Sequence, residues 1–146
     1  MVIRPAAVNE GERLRAIAVA ARAVWGYDIE SIRAWGETLD LVPDFPRSRS
    51  ILVAEVHGEV VGWAGAMARG NTWWLDDLWV EPSWMRQRIG RRLFHAITAH
   101  GRAAGFARIA WETVPGAVGF YERMGARYVR AGEHMPVMGI ELGAPE

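Results

Sequence analysis

The stretch from Leu75 to Phe94, LDDLWVEPSWMRQRIGRRLF, constrains the fold more than any other part of the chain. It reads as a strand running to Val80, a short loop broken by Pro82, and a helix that starts near Gly90. Four arginines, Arg86, Arg88, Arg91 and Arg92, sit at the loop-to-helix junction. A helix N-terminus has free backbone N–H groups and a partial positive charge, so a strand–loop–helix turn of this kind suits a phosphate. Arginines add full charges that grip phosphate oxygens. On a first helical turn they also oppose the macrodipole, which leaves a purely structural role poorly motivated. The segment predicts a site for a phosphorylated cofactor beside the acidic end of a strand. A solvated basic patch is the plainer alternative.

The rest of the chain supplies the elements around that turn. Val2-Ile3-Arg4 is a short strand ended by Pro5. Asn9 and Glu12 have the spacing of a capping box, and Leu14, Ile17, Ala18, Ala21 and Val24 then recur at helical spacing until Gly26. Asp28 can cap a second helix with Ile29, Ile32, Trp35 and Leu39 inside. Two prolines make Val42 to Pro46 a loop. Ile51 to Val56, Val60 to Met67 and Thr72 to Val80 form an antiparallel meander, turned at His57-Gly58-Glu59 and at Gly70-Asn71. A long helix carries Ile89, Leu93, Phe94 and Ile97 inward and ends at Gly101 or Gly105. A strand at 107–113, a short helix at 116–124 closed by Gly125, and a strand pair at 127–130 and 137–142 complete the order β-α-α-β-β-β-α-β-α-β-β. That order gives an α+β mixed sheet, mostly antiparallel, with helices on both faces.

A length of 146 residues fits one domain spanning 1–146, and a hydrophobic content of 51% supports a globular core. Seventeen basic and seventeen acidic side chains leave no net charge, which argues against a general nucleic-acid or membrane binder. The absence of cysteine excludes disulfides, thiol nucleophiles and cysteine zinc sites. His57, His95, His100 and His134 show no metal-ligand spacing, so no metal site is expected. With no signal-peptide core and no run of membrane-span length, the expected location is the cytoplasm. Eight tryptophans are many for this length. Trp63, Trp73, Trp74, Trp79, Trp84 and Trp111 fall on or near strands, mostly as core, with a few free to line a pocket. A homodimer stays open, because exposed tryptophans would mark an interface.

Three segments in this order resemble the GNAT superfamily of N-acetyltransferases. Leu78-Trp79-Val80-Glu81-Pro82 through Ile89-Gly90-Arg91-Arg92-Leu93 is similar to the family's acetyl-CoA signature of strand, proline, pyrophosphate loop and helix. Gly119 to Ala126, GFYERMGA, is similar to its FYE-K/R-x-G-F/A segment. Ala23 to Tyr27 is similar to an HWGY segment of one bacterial branch. There are departures. Met85, Arg88 and Gly90 stand where the family has Arg/Gln-x-x-Gly-x-Gly/Ala, and Arg86 stands where many members have glycine. An arginine at positive φ costs about 1 kcal/mol or more, which a phosphate contact can offset. Val114-Pro115-Gly116-Ala117 replaces a common Asp-Pro-Asn-Ala.

The resemblance implies acetyl-CoA as cofactor and a small-molecule or peptide amine as acceptor. It implies that the backbone of Leu78, Trp79 and Val80 holds the pantetheine arm and carbonyl. Backbone groups across Arg86, Gln87, Arg88, Ile89, Gly90 and Arg91 would hold the pyrophosphate. Tyr121 matches the family's general-acid position next to the cofactor sulfur; on residue pattern alone it is the apolar face of a short helix. Asp76 aligns with an acidic position of the similar branch and is favoured as general base, with Asp77 and Glu112 in reserve near the acceptor. Strand neighbours point to opposite faces, so one aspartate at most is expected in any given cleft. Ion pairs to nearby arginines are the alternative for both. Trp25, Tyr27 and Trp35 either rim the acceptor site, where a cationic amine would suit them, or pack helix against sheet. A non-catalytic acyl-CoA-binding or regulatory module is the alternative function.

Overall fold

The computed structural model describes residues 1–24, 26–39, 41, 49–132 and 135–143. The expected loop at Val42 to Pro46 lies outside them. The elements follow in the order β1 (Val2–Pro5), α1 (Gly11–Ala23), α2 (Ile29–Glu37), β2 (Arg49–Val56), β3 (Glu59–Arg69), β4 (Thr72–Val80), α3 (Ile89–Ala103), β5 (Arg108–Glu112), α4 (Val118–Arg123), β6 (Arg127–Ala131) and β7 (Pro136–Glu141). The strands form one sheet in the order β1-β2-β3-β4-β5-β7-β6. Every neighbouring pair is antiparallel except β4 and β5. The mixed, mostly antiparallel sheet is therefore the expected one.

The run Ile51-Leu52-Val53-Ala54 shows how the two faces are filled. Ile51 and Val53 join a core with Leu14 and Ile17 of α1 and with Trp63. Leu52 and Ala54 join the opposite core with Leu93, Phe94 and Ile97 of α3. A strand covered on both sides needs apolar residues at every position rather than every second one. Helix α1 is tied down by Trp63, whose indole N–H donates to the Leu14 carbonyl at 2.9 Å. The β2–β3 turn places His57 at φ 50° and Gly58 at φ 79°, the paired positive angles of a two-residue hairpin.

Local expectations differ from the structure in three places. Asn9 does not cap α1; it lies in a 3-10 turn over Val8–Glu10, and Glu10 instead accepts from the Ala7 N–H at 2.7 Å while it pairs with Arg4. A tie to the first strand outcompetes the local box. Ile29, expected inside, is 45% exposed because α2 turns only the Ile32 side inward, although Asp28 does cap it through the Ser31 N–H at 3.1 Å. Gly101 does not end α3. It sits within the helix against the Trp73 indole, and Gly105 at φ 90° makes the turn after it.

One irregularity positions the site. Residues Thr72, Trp73 and Trp74 pair with β5, and the pairing stops there. On the other side of β4, Gly65 pairs with Asp77 and Ala66 with Leu75, so Asp76 is the extra residue of a β-bulge. A bulge bends its strand and increases the local twist. Past it, β4 leaves β5, whose other edge stays paired with β7. A wedge opens between the two central strands.

Candidate active site

The wedge is a cavity of about 420 Å3. Its floor comes from β4 and β5, one wall from α1, α2 and the residues after them, and another from the chain around Thr113 and Tyr121. Asp76 and Asp77 both line it. The expectation that alternation admits one at most fails here, because the bulge at Asp76 interrupts the two-residue period. The two carboxylates are not equivalent. Asp76 pairs with Arg49 at 3.1 Å. Asp77 is buried and accepts from the Trp79 indole N–H at 2.9 Å. Burial pushes the Asp77 carboxyl up to about 6. The Trp79 hydrogen bond and the charges of Arg49 and Arg22 pull it down, and the negative charge of Asp76 raises it further. Burial also raises Asp76, against the opposing pull of Arg49 and Arg69.

Tyr121 on α4 lines the same cavity, with its ring 4.8 Å from Trp111 and 5.8 Å from Phe94. Burial pushes its phenol above the usual range, so it holds its proton at all working pH. Trp111 also lines the cavity, and its indole N–H is buried without a hydrogen-bond partner among the described residues. Glu112 and Tyr27 complete the expected acceptor residues found there. Trp25 lies outside the described residues.

At the end of β4 the chain turns through a 3-10 element at Pro82–Trp84 into α3. Arg86 and Arg88 both take φ 64°, the left-handed backbone that glycine adopts freely. Helix α3 begins without a side-chain cap and with no acidic residue in its first turn. The N–H groups of Ile89, Gly90 and Arg91 precede the first intrahelical bond, which Arg92 donates to the Arg88 carbonyl at 3.1 Å. Exposed Arg86, Gln87, Arg88 and Arg91 surround that open end. Ile89 is core, so only its backbone is available to a ligand.

The acetyltransferase (GNAT) family matches the chain over residues 17–126, which includes the wedge, the arginine turn and Tyr121. The chain belongs to the GNAT family of acetyltransferases. No curated protein sequence matches it. Solved structures agree on the fold at low identity. The PaiA N-acetyltransferase from Thermoplasma acidophilum, in complex with coenzyme A, superposes with TM-score 0.82 at 15% identity, covering 96% of this chain and 98% of that one. The ribosomal-protein-S18-alanine N-acetyltransferase from Escherichia coli gives 0.73 at 14% identity, covering 97% and 93%. An aminoglycoside 6'-N-acetyltransferase from Enterococcus faecium gives 0.70 at 19% identity, covering 97% of each chain.

Within this GNAT fold the expected residues fall into two groups. Leu78 and Trp79 line the wedge together with Asp76, Asp77, Glu112, Tyr27 and Tyr121. Val80 lies past it and packs against the core under α3, on the way to the arginine turn. Two charged lining residues escaped the sequence reading, Arg22 and Arg49. A faint signal existed for Arg22, one polar residue between Ala21 and the aromatic segment ending at Tyr27. Nothing in the sequence brings Arg49 to Asp76, because that contact crosses from β2 to β4.

Proposed function

We propose that this protein is an acetyl-CoA-dependent N-acetyltransferase that moves an acetyl group to a primary amine by direct attack. The carrying observation is a desolvated carboxyl, Asp77, and a protonated phenol, Tyr121, lining one cavity in the wedge between β4 and β5. The residues present fit acetyl-CoA: an uncapped helix end among arginines suits the diphosphate, and β4 past Trp74 has backbone groups without a β5 partner to receive the pantetheine arm. When bound, acetyl-CoA supplies an acetyl carbon activated by a thiolate leaving group.

Each side chain then has a task. Asp77 binds the incoming ammonium and takes one proton at a carboxylate oxygen, which its upward shift to about 6 makes easier near neutral pH. Trp79 holds that carboxylate in place through its indole N–H. Tyr121 would hold its phenol proton for the thiolate that leaves acetyl-CoA, and would recover one at its oxygen from the second proton that the nitrogen releases as the amide forms. The burial that raises the phenol would disfavour a thiolate as well, so the proton is shared where it is needed. Trp111 and Trp35 add apolar surface to the cavity lining. Asp76 serves better as a partner of Arg49 than as the base, since its carboxylate is already engaged.

The alternative of a non-catalytic acyl-CoA-binding module depends on arginine closing the pyrophosphate loop. Both arginines keep a glycine-like backbone and the helix end stays open, which supports turnover instead. The test is release of free CoA from acetyl-CoA with a broad amine panel. Amine-dependent release that falls roughly 10- to 100-fold in Tyr121→Phe supports the proposal. Binding of acetyl-CoA with no release by any amine would leave the module reading in its place.

A further inference from the structure

Arg22 is a cation in the cavity that the chemistry above does not use. It sits in the last turn of α1, where a cation is favoured by the helix dipole. The dipole explains a positive residue at this position but not its placement over two rings. Its guanidinium carbon lies 4.2 Å from the Trp35 ring centroid and 5.4 Å from that of Tyr27. Both rings line the same cavity. None of the five N–H donors of Arg22 has a hydrogen-bond acceptor or carboxylate partner among the described residues. A guanidinium held by aromatic faces and left without a counter-ion is poised for a planar oxyanion, which it grips with two parallel hydrogen bonds.

The charge balance of the cavity points the same way. Arg49 and Asp76 compensate each other at 3.1 Å. Glu112 is itself engaged, which leaves the positive Arg22 and the acidic Asp77. Arg22 and Asp77 line one cavity, so a single small ligand can meet both. A simple alkylamine would satisfy the carboxylate and leave Arg22 uncompensated in a partly desolvated cleft. A molecule with an ammonium at one end and an anionic group at the other satisfies both.

We propose that the acceptor is a primary amine that also carries an anionic oxygen group, a carboxylate or a phosphate, and that Arg22 binds that group between Trp35 and Tyr27. This rests on the acetyltransferase function proposed above. Arg22 thus selects the substrate, and Asp77 and Tyr121 act on it.

Matched pairs that differ by one anionic group test the assignment: L-leucine against 3-methylbutylamine, 6-aminohexanoate against pentylamine, and 2-aminoethyl phosphate against ethanolamine. In at least one pair the anionic member is expected to show kcat/KM higher by roughly 10- to 100-fold, carried by KM. The identity of that pair separates carboxylate from phosphate. Arg22→Gln should abolish the preference by raising KM for the anionic member toward that of its neutral partner, and Arg22→Lys should keep part of it. Turnover of the neutral members as fast as their anionic partners, or a preference unchanged in Arg22→Gln, overturns the assignment and leaves acetyl transfer standing. Calorimetric titration of the same anionic probes reads Arg22 without chemistry. Binding lost in Arg22→Gln but retained in part by Arg22→Lys supports the assignment even if acetyl transfer fails. No binding of any anionic probe to the unmodified protein counts against it.

Discussion

Asp77 acquires its chemistry from its surroundings, since an aspartate on an open strand would ionise near 4. Burial lifts it to about 6, and the negative charge of Asp76 adds to that lift. The rate should therefore rise with pH through an apparent pKa of about 6, as the carboxylate form of Asp77 accumulates. Asp76→Asn removes one cause of the upward shift, so it should move that pKa down while activity persists. Were Asp76 the base, the same change would abolish activity, and a pH–rate profile of both variants separates the two cases. Stability gives an independent check. The folded carboxyl lies above its unfolded value, so the folded protein binds more protons between about 4 and 6, and stability falls as pH rises through that window. Above it the full penalty applies, about 3 kcal/mol for a shift of this size. Asp77→Asn keeps an acceptor for the Trp79 N–H and loses the buried charge. It should melt higher than the unmodified protein at pH 7.5, match it near pH 4, and lose roughly 100-fold or more of its rate.

At the scale of elements, α3 carries two features that oppose intrinsic preference. Arg86 and Arg88 hold left-handed backbone at its start, at a cost of about 1–2 kcal/mol each for an L-residue. Glycine at either position should raise stability by about 1 kcal/mol in a denaturant titration, less what the looser unfolded chain takes back. Acetyl-CoA affinity should fall at the same time if the guanidinium groups grip the diphosphate, and its salt dependence should become shallower. Further along, Gly101 lets α3 approach Trp73, whose indole N–H is fixed on the Ile97 carbonyl at 3.1 Å. Alanine there gains helix propensity of about 1 kcal/mol. It also forces a methyl into a ring that cannot retreat, so Gly101→Ala should destabilise by about 1–3 kcal/mol net, measurable by thermal melting. These features also mark where the sequence was legible. Turn chemistry located nearly every element, because His57-Gly58, Asp28 and Gly105 act through their own backbone and neighbours. Along the chain Gly101 and Gly105 are equal candidates for the helix end, because the reason for Gly101 is an indole nearly thirty residues away in sequence. The bulge at Asp76 was invisible for the same kind of reason. It is a relation between β4 and its partner at Gly65 and Ala66, and alternation along one strand cannot report it. Of the residues that line the cavity, Asp76, Asp77 and Tyr121 lie in segments legible along the chain, whereas tertiary contacts alone bring Arg22 and Arg49 to the cleft.

For the whole molecule, the wedge means that the sheet is continuous at one end and divided at the other. Strands β1 to β4 with α1, α2 and most of α3 form one side, and β5, β7, β6 with α4 form the other, joined through three residue pairs of β4 and β5 and through the core under α3. A ligand that runs along β4 from the arginine turn into the cavity would supply backbone partners that β5 does not. Binding should then be visible in the strand as well as in total stability. Amide hydrogens in the segment 75–80 that face the wedge are expected to exchange more slowly with acetyl-CoA present, while those between β6 and β7 stay unchanged. At about 100 times its dissociation constant the ligand contributes roughly 2.7 kcal/mol, a melting shift of roughly 5–10 °C for a chain of this size. The two measurements constrain each other. A melting shift with protection confined to the α3 end would place the diphosphate at the arginines but keep the pantetheine out of the wedge, and Asp77 and Tyr121 would then face no acetyl group. Protection of 75–80 together with the shift ties the helix end, the split strand and the two ionisable side chains into one site.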